Sequence, residues 1–352
     1  MPEQTTSIPV NVITGFLGSG KTTLLQRLLA SPALADTVVL VNEFGEVGLD
    51  HHLLQRLDDD IVLLQSGCLC CTIRGDLSAA MRNLYARREK AEIQPFRRLV
   101  VETTGLADPV PILSTVMSEP MLRHHFRLGN VVTTVDAVNG LLHLERQHES
   151  AKQAAVADRI VITKTDIAEA NSVAELRHRL RRLNPAAPQL ETTPKLTIDP
   201  DALLTRDVYD LAGRADEVRR WLAIESEKAA AETQHHQHTD VNRHDERIHA
   251  FCLRFAQPLD WTAFGIWLTM LLHRHGADVL RVKGMLNVVS SPGPVVVHGV
   301  QHLVHPPDHL PQWPDDDHSS RIVFIVRGLS RESIERSLNA FGRLGLPATE
   351  KV

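Results

Sequence analysis

Aromatic residues are scarce in this 352-residue chain, only 4% of it, so aliphatic side chains must build whatever core it has. Cysteine is scarcer still, at four. A secreted scaffold stapled by disulfides is shorter and richer in cysteine, and three of these four, Cys68, Cys70 and Cys71, crowd together where neighbours bridge poorly. The pattern reads as reduced thiols in a cytoplasmic chain. No apolar stretch approaches the roughly 20 residues that span a bilayer, and Met1-Pro2-Glu3-Gln4 lacks the basic start and apolar run of a signal peptide. An excess of charge of one sign is missing too: 38 Lys and Arg against 43 Asp and Glu leave a net −5. That is no electrostatic footprint for a nucleic-acid backbone or an anionic membrane, so neither is expected as a partner. Histidine is the exception to this plainness, at 19.

With 43% hydrophobic and 23% charged residues the composition is that of an ordinary globular protein, and at roughly 150 residues per domain the length predicts two domains. Short β-branched runs at 10–13, 38–41, 61–64, 99–101, 131–135 and 160–163 alternate with helical patterns at 21–30, 77–88, 110–117, 148–156 and 173–183. Near-continuous apolar strands separated by helices indicate an α/β domain with a mostly parallel sheet covered by helices on both faces. From 225 to 246 the composition turns to Lys, Ala, Gln, His and Asp, which reads as a linker. Beyond it, strands at 248–255, 279–289, 295–297 and 321–326 with helices at 261–273 and 331–341 predict a smaller α+β domain. The expected organisation is 1–224, a His-rich linker 225–246, and 247–352.

Gly15-Phe16-Leu17-Gly18-Ser19-Gly20-Lys21-Thr22 fits G-x-x-x-x-G-K-[ST] between a strand and a helix. Such a loop turns backbone N–H groups onto phosphate oxygens at the positive end of a helix dipole. Lys21 is expected to reach the β- and γ-phosphates, Thr22 to ligate Mg2+, and Thr23 to follow them at the nucleotide. Thr163-Lys164-Thr165-Asp166 closes a later strand. There the Asp166 carboxylate can accept from N1–H and the exocyclic amine of guanine, a donor pair adenine lacks, while the Lys164 stem lies along the purine. GTP is therefore the expected nucleotide, and Asp166 argues against a P-loop kinase or ATPase with structural thiols. Glu102, ending the strand 99–101, is the expected second-shell magnesium carboxylate, with Gly105 offering its N–H to a γ-phosphate. Glu43 and Asp108 are candidates, on polarity and placement, for positioning the attacking water.

Cys68-Leu69-Cys70-Cys71 follows Gly67 in an expected loop. Three neighbouring thiols invite zinc or cobalt(II), and a site without a fourth local cysteine suits a metal that must leave. Glu46 is a candidate oxygen ligand. Redox-active thiols or buried small hydrophobes are the alternatives, and Cys252, in a predicted strand, reads as core. His235, His236 and His238 lead a cluster, with His244 and His249, that forms either an auxiliary metal site or a solvated polar linker.

Taken together, Gly15 to Leu25, Asn42-Glu43-Phe44-Gly45-Glu46-Val47-Gly48, Gly67 to Cys71, Glu102-Thr103-Thr104-Gly105-Leu106-Ala107-Asp108-Pro109 and Thr163 to Asp166 resemble the CobW-type P-loop metallochaperones. These are relatives of the hydrogenase and urease nickel-insertion GTPases. Arg281-Val282-Lys283-Gly284 and Arg321-Ile322-Val323-Phe324-Ile325 carry the resemblance into the second domain. It implies a SIMIBI-class GTPase fold and a GTP-hydrolysing chaperone that holds zinc at the C-x-C-C and passes it to a client metalloprotein. A cobalt chaperone for cobalamin synthesis or nitrile hydratase maturation is the alternative within the family. A zinc buffer with a vestigial nucleotide site is the alternative of another kind, and a nucleotide- or metal-dependent homo-oligomer stays open. Two departures stand out: Thr163 replaces the asparagine that opens many GTPase base motifs, and Val41 stands where some members carry a further glutamate ligand.

Overall fold

The computed structural model describes residues 7–41, 54–56, 61–64, 69–72, 76–196, 198–204, 248–289 and 291–344. Glu43, Glu46, Cys68, His235, His236, His238 and the expected boundary at 224 lie outside them, and Cys70 and Cys71 are described as backbone only. Two compact units divide the chain: Met1–Arg179 with Ala187–Asp210, and Leu180–Ala186 with Leu211–Val352.

In the first unit β1 (Ile8–Gly15) lies between β6 (Arg98–Glu102) and β7 (Phe126–Asp136), both parallel to it. Beyond β6 the parallel sheet continues through β2 (Thr37–Val41) to β5 (Leu69–Thr72), and beyond β7 through β8 (Arg159–Thr163) to β9 (Gln189–Thr192). The antiparallel strands β4 (Ile61–Leu64) and β3 (Leu54–Arg56) finish one edge, giving the order β3-β4-β5-β2-β6-β1-β7-β8-β9. The α/β fold with a mostly parallel sheet is thus as expected.

Helices cover both faces because the central strands are apolar on both. On one, Leu24, Leu25 and Leu28 of α1 (Lys21–Leu29) and Leu203 and Leu204 of the short helix Pro200–Leu204 pack with Ile13, Val39, Val100, Val132 and Val161. Thr133 neighbours Val132 and so points to the opposite face, where its hydroxyl donates to Gln153 O (2.9 Å) of the helix His148–Val156. Helices Val110–Ser118 and Pro120–His125 pack against β7. Helix Leu77–Glu89 starts where the Asp76 carboxylate accepts from Ser78 N (2.9 Å).

One expectation is corrected. The segment expected as a loop around Cys68 to Cys71 contains β5, whose Cys70 and Cys71 pair with Val39 and Leu40 on one side and Val62 and Ile61 on the other. A four-residue run has too little periodicity to announce a strand; ladders on both sides supply the hydrogen bonds that hold it extended.

In the second unit an antiparallel sheet of order β10-β15-β11-β12-β13 is built from Ile248–Phe255 (β10), Val279–Leu286 (β11), Val295–Val300 (β12), Leu303–Val304 (β13) and Ser320–Arg327 (β15), and Asp308–His309 (β14) pairs with β12. The strand expected at 279–289 ends at Leu286. Helices Trp261–His275 and Arg331–Leu344 press Phe264, Trp267, Leu272, Ile334 and Leu338 onto Val282, Leu286, Val297, Ile322 and Phe324. Trp267 is 1% exposed, and its indole N–H donates to Ser337 Oγ (2.9 Å), so the largest apolar side chain of the core is also hydrogen-bonded. Cys252 is half-buried and packs with Met285, Val296 and Val323, as the core reading expects. Among the described residues no helix is long and apolar enough to cross a membrane.

Candidate nucleotide site

The C-terminal ends of the parallel strands are where an open α/β sheet binds ligands, and here they carry the P-loop. β1 ends at Gly15, the chain turns with Ser19 N donating to Phe16 O (3.1 Å), and α1 begins at Lys21. Only glycine fits at 15: a Cβ there would stand 2.3 Å from Thr134 Oγ1 and 2.4 Å from Thr134 O, at φ +145°. Gly18 and Gly20 have φ of +69° and +89°. Ser19 is buried, with its hydroxyl hydrogen-bonded to Thr134 Oγ1 (2.7 Å), while the Thr163 hydroxyl donates to Ser19 O (2.8 Å). The loop is therefore braced against β7 and β8 before any phosphate arrives. Lys21 Nζ donates to Phe16 O (3.3 Å), so the ammonium lies over the loop, and the first turn of α1 leaves N–H groups for an anion.

Glu102 and Thr22 meet. The Thr22 hydroxyl donates to Glu102 Oε1 (2.6 Å), and Glu102 is 3% exposed at the end of β6, in register with Ile13 and Val41. An alcohol and a carboxylate oxygen in contact form a hard donor set that fits Mg2+. Thr103 continues this arrangement through N–H to Ile13 O (3.0 Å) and its hydroxyl to Thr14 Oγ1 (2.8 Å). Gly105 abuts the P-loop so closely that a Cβ would stand 2.6 Å from Leu17 Cδ2 and 2.7 Å from Leu17 N. Asp108, the described candidate for positioning water, has both oxygens engaged. Oδ1 accepts from Val110 N (3.0 Å), and Oδ2 accepts from Lys152 Nζ (2.6 Å). Those partners make it a cap for the helix after it rather than a base at hand for water.

At the base end, Thr163 closes β8 against the P-loop: a Cβ on Gly20 would stand 3.5 Å from Thr163 Cγ2. Asp166 is exposed on the turn that follows. Lys164 takes a left-handed backbone, φ +58°, uncommon outside glycine. Asp136 holds it there: Oδ2 accepts from Lys164 Nζ (2.7 Å), and the same carboxylate accepts from Val138 N (2.7 Å) and Asn139 Nδ2 (3.2 Å). Burial by itself would raise the Asp136 carboxyl, but the bonds from Lys164, Val138 and Asn139 outweigh it and hold the group below the usual carboxylate range. A depressed folded-state value contributes stability that is present above the unfolded value of about 4 and lost as pH falls through the folded one. Asp136→Asn is therefore expected to flatten the loss of stability below about pH 4. Denaturant melts from about pH 3 to 6 check it, and an unchanged acid limb would refute this role.

Asp136 and Thr134 escape motif reading, since neither belongs to a phosphate or base signature. Asp136 carries the signal that Glu102 carries, an acid ending an apolar strand in the same sheet. Among the described residues no group of three or more His, Cys, Asp or Glu side chains is placed to hold a metal. What the structure does locate is the thiol strand. Val41 is in register with Glu102 on one side and Thr72 on the other, so two strand spacings, about 10 Å, separate the backbone after Cys71 from that of Glu102.

Residues 9–191 match the family described as CobW/HypB/UreG, nucleotide-binding domain, and residues 248–342 match the cobalamin synthesis protein cobW C-terminal domain. The zinc chaperone YjiA of Escherichia coli is 33% identical over 327 residues, 93% of this chain and 96% of that protein. The zinc-regulated GTPase metalloprotein activator 1 of Schizosaccharomyces pombe is 26% identical over 93% of this chain and 84% of its own. The crystal structure of Zn(II)-bound YjiA GTPase superimposes with a TM-score of 0.71 at 30% identity, covering 95% of this chain and 99% of that one.

Proposed function

The chain belongs to the CobW/HypB/UreG family, and from that premise we propose that it is a GTP-hydrolysing zinc chaperone that binds zinc at Cys68, Cys70 and Cys71, with Glu46, and hands it to a client metalloprotein. The observation that carries the reading is the shared register of β6, β2 and β5. It sets the backbone of Cys70 and Cys71 one intervening strand from the carboxylate that meets Thr22, close enough for one nucleotide-dependent rearrangement to reach both.

The roles follow from the site. The N–H groups of Gly18 to Thr23 and the Lys21 ammonium hold the phosphates. Asp166 reads guanine, with the Lys164 stem steadied by Asp136. Thr22 and Glu102 hold Mg2+, which when bound neutralises phosphate charge. Water then attacks the γ-phosphorus, the bond to the β–γ bridging oxygen breaks, and GDP leaves together with inorganic phosphate. Gly105, against the P-loop, senses whether the γ-phosphoryl group is present. The loss of that group is passed on from Gly105 to the thiol site. A reducing cytoplasm keeps the thiols available as ligands.

Zinc is favoured over cobalt because the relatives described above carry zinc in their names. By linkage, a nucleotide that tightens metal binding is tightened by metal to the same factor. A zinc titration with a non-hydrolysable GTP analogue and with GDP is expected to give at least a tenfold tighter Kd with the analogue, within the usual range of coupling factors. Equal affinities would sink the coupling. A stoichiometry that collapses on deleting residues 235–244 but survives serine at Cys68, Cys70 and Cys71 would instead make the protein a buffer.

A further inference from the structure

We infer that Lys152 and Gln153, consecutive residues of the helix His148–Val156, preset the loop after β6 for γ-phosphate recognition and so set how strongly the protein prefers GTP to GDP; this rests on the guanine-nucleotide reading above. Gln153 is 1% exposed, and its side-chain amide donates to Gly105 O (3.2 Å) and Ala107 O (2.9 Å). Its own backbone carbonyl accepts from Thr133 on β7 (2.9 Å), so the holder is itself tied to the sheet. One residue earlier, Lys152 Nζ donates to Asp108 Oδ2 (2.6 Å), and Asp108 Oδ1 caps the next helix at Val110 N. Two neighbouring side chains thus pin the loop at three places.

The pins also aim it. The C=O and N–H of a trans peptide point opposite ways. With Gly105 O turned to Gln153, the Leu106 N–H points away from that helix. With Thr104 O accepting from Ala107 N (3.2 Å) and the Thr103 hydroxyl (3.1 Å), the Gly105 N–H is turned from that side as well. Gly105 meanwhile touches Leu17 of the phosphate-binding loop. The loop that must contact the third phosphate is therefore held in a single form, and GTP need not order it on binding. Freed of its pins, the loop would spend only part of its time competent, and apparent GTP affinity would fall by that fraction. GDP lacks the phosphate this loop meets, so its affinity would not change.

The test measures the Kd of a non-hydrolysable GTP analogue and of GDP, both with Mg2+, on the full chain. Gln153→Met keeps the length and removes both donors. Lys152→Met removes only the half-buried ion pair and guards against a fold that Gln153→Met might not tolerate. The expected result is an analogue affinity weakened about tenfold by Gln153→Met and about threefold by Lys152→Met, with GDP within about twofold, and Lys152→Arg close to wild type. Losses of equal size for both nucleotides, or no loss for either, overturn the inference. A wild-type protein that binds neither guanine nucleotide overturns the functional reading instead.

Discussion

Lys21→Ala is expected to lower kcat/KM for GTP hydrolysis by on the order of a thousandfold, equivalent to about 4 kcal/mol of transition-state stabilisation. Removing one neutral donor from a preorganised oxyanion site costs about a hundred- to a thousandfold, and a charged donor shared between two phosphates belongs at the upper end. The loop that presents it is already set, since Ser19, Thr134 and Thr163 brace it through buried hydrogen bonds. The effect therefore belongs to the missing ammonium and not to a collapsed loop. Lys21 Nζ reaches the loop carbonyl of Phe16 at 3.3 Å and Lys21 is not part of the apolar core, so its loss is expected to leave thermal unfolding close to wild type. Phosphate release at subsaturating GTP is the measurement; a rate within about fivefold of wild type would remove the lysine from the chemistry. Lys21→Arg is not expected to rescue, because a planar guanidinium does not replace a compact ammonium inside a tight loop.

Asp166→Asn is expected to weaken GTP binding by about a hundred- to a thousandfold and to raise affinity for xanthosine triphosphate. The bond from the exocyclic amine, about 1.5–3 kcal/mol, is lost, and the bond from N1–H keeps a neutral acceptor in place of a charged one, at about 1 kcal/mol more. The asparagine amide instead donates where guanine presents its amine and where xanthine presents a carbonyl. The exposed position on the turn after β8 makes this a change in recognition with little effect on folding. Competition between the two nucleotides for one labelled site reads the switch directly. A variant that loses GTP without gaining the xanthine nucleotide, or keeps GTP, would place the base elsewhere.

The parts of this site that were legible in the sequence are those whose chemistry is local. A P-loop needs its glycines, lysine and threonine in one turn, because together they surround one short run of phosphates and its Mg2+, and Gly15 to Thr22 fold as that pattern requires. Glu102 was legible because it ends an apolar strand within the sequence Glu102-Thr103-Thr104-Gly105, downstream of a phosphate-binding loop. Gln153 was not: in sequence it is a polar residue among alanines, and its partners Gly105 and Ala107 lie more than forty positions away. Asp136 shows the same local signal as Glu102, an acid ending an apolar strand, but its partner Lys164, just after β8, lies 28 positions away and is joined to it only by the fold.

By itself the sequence determined the phosphate loop, the Thr163 to Asp166 turn after a strand, the α/β and α+β halves and the clustering of three thiols, all matters of residue type at short spacing. Only the tertiary structure decided that Cys70 and Cys71 lie on a strand and not in a loop, and that this strand ends level with Glu102. It alone joined Lys152 and Gln153 to the loop after β6. The physical reason is the same in each case: backbone pairing and side-chain hydrogen bonds across a parallel sheet join segments far apart in the chain, and no local periodicity records which segments those will be.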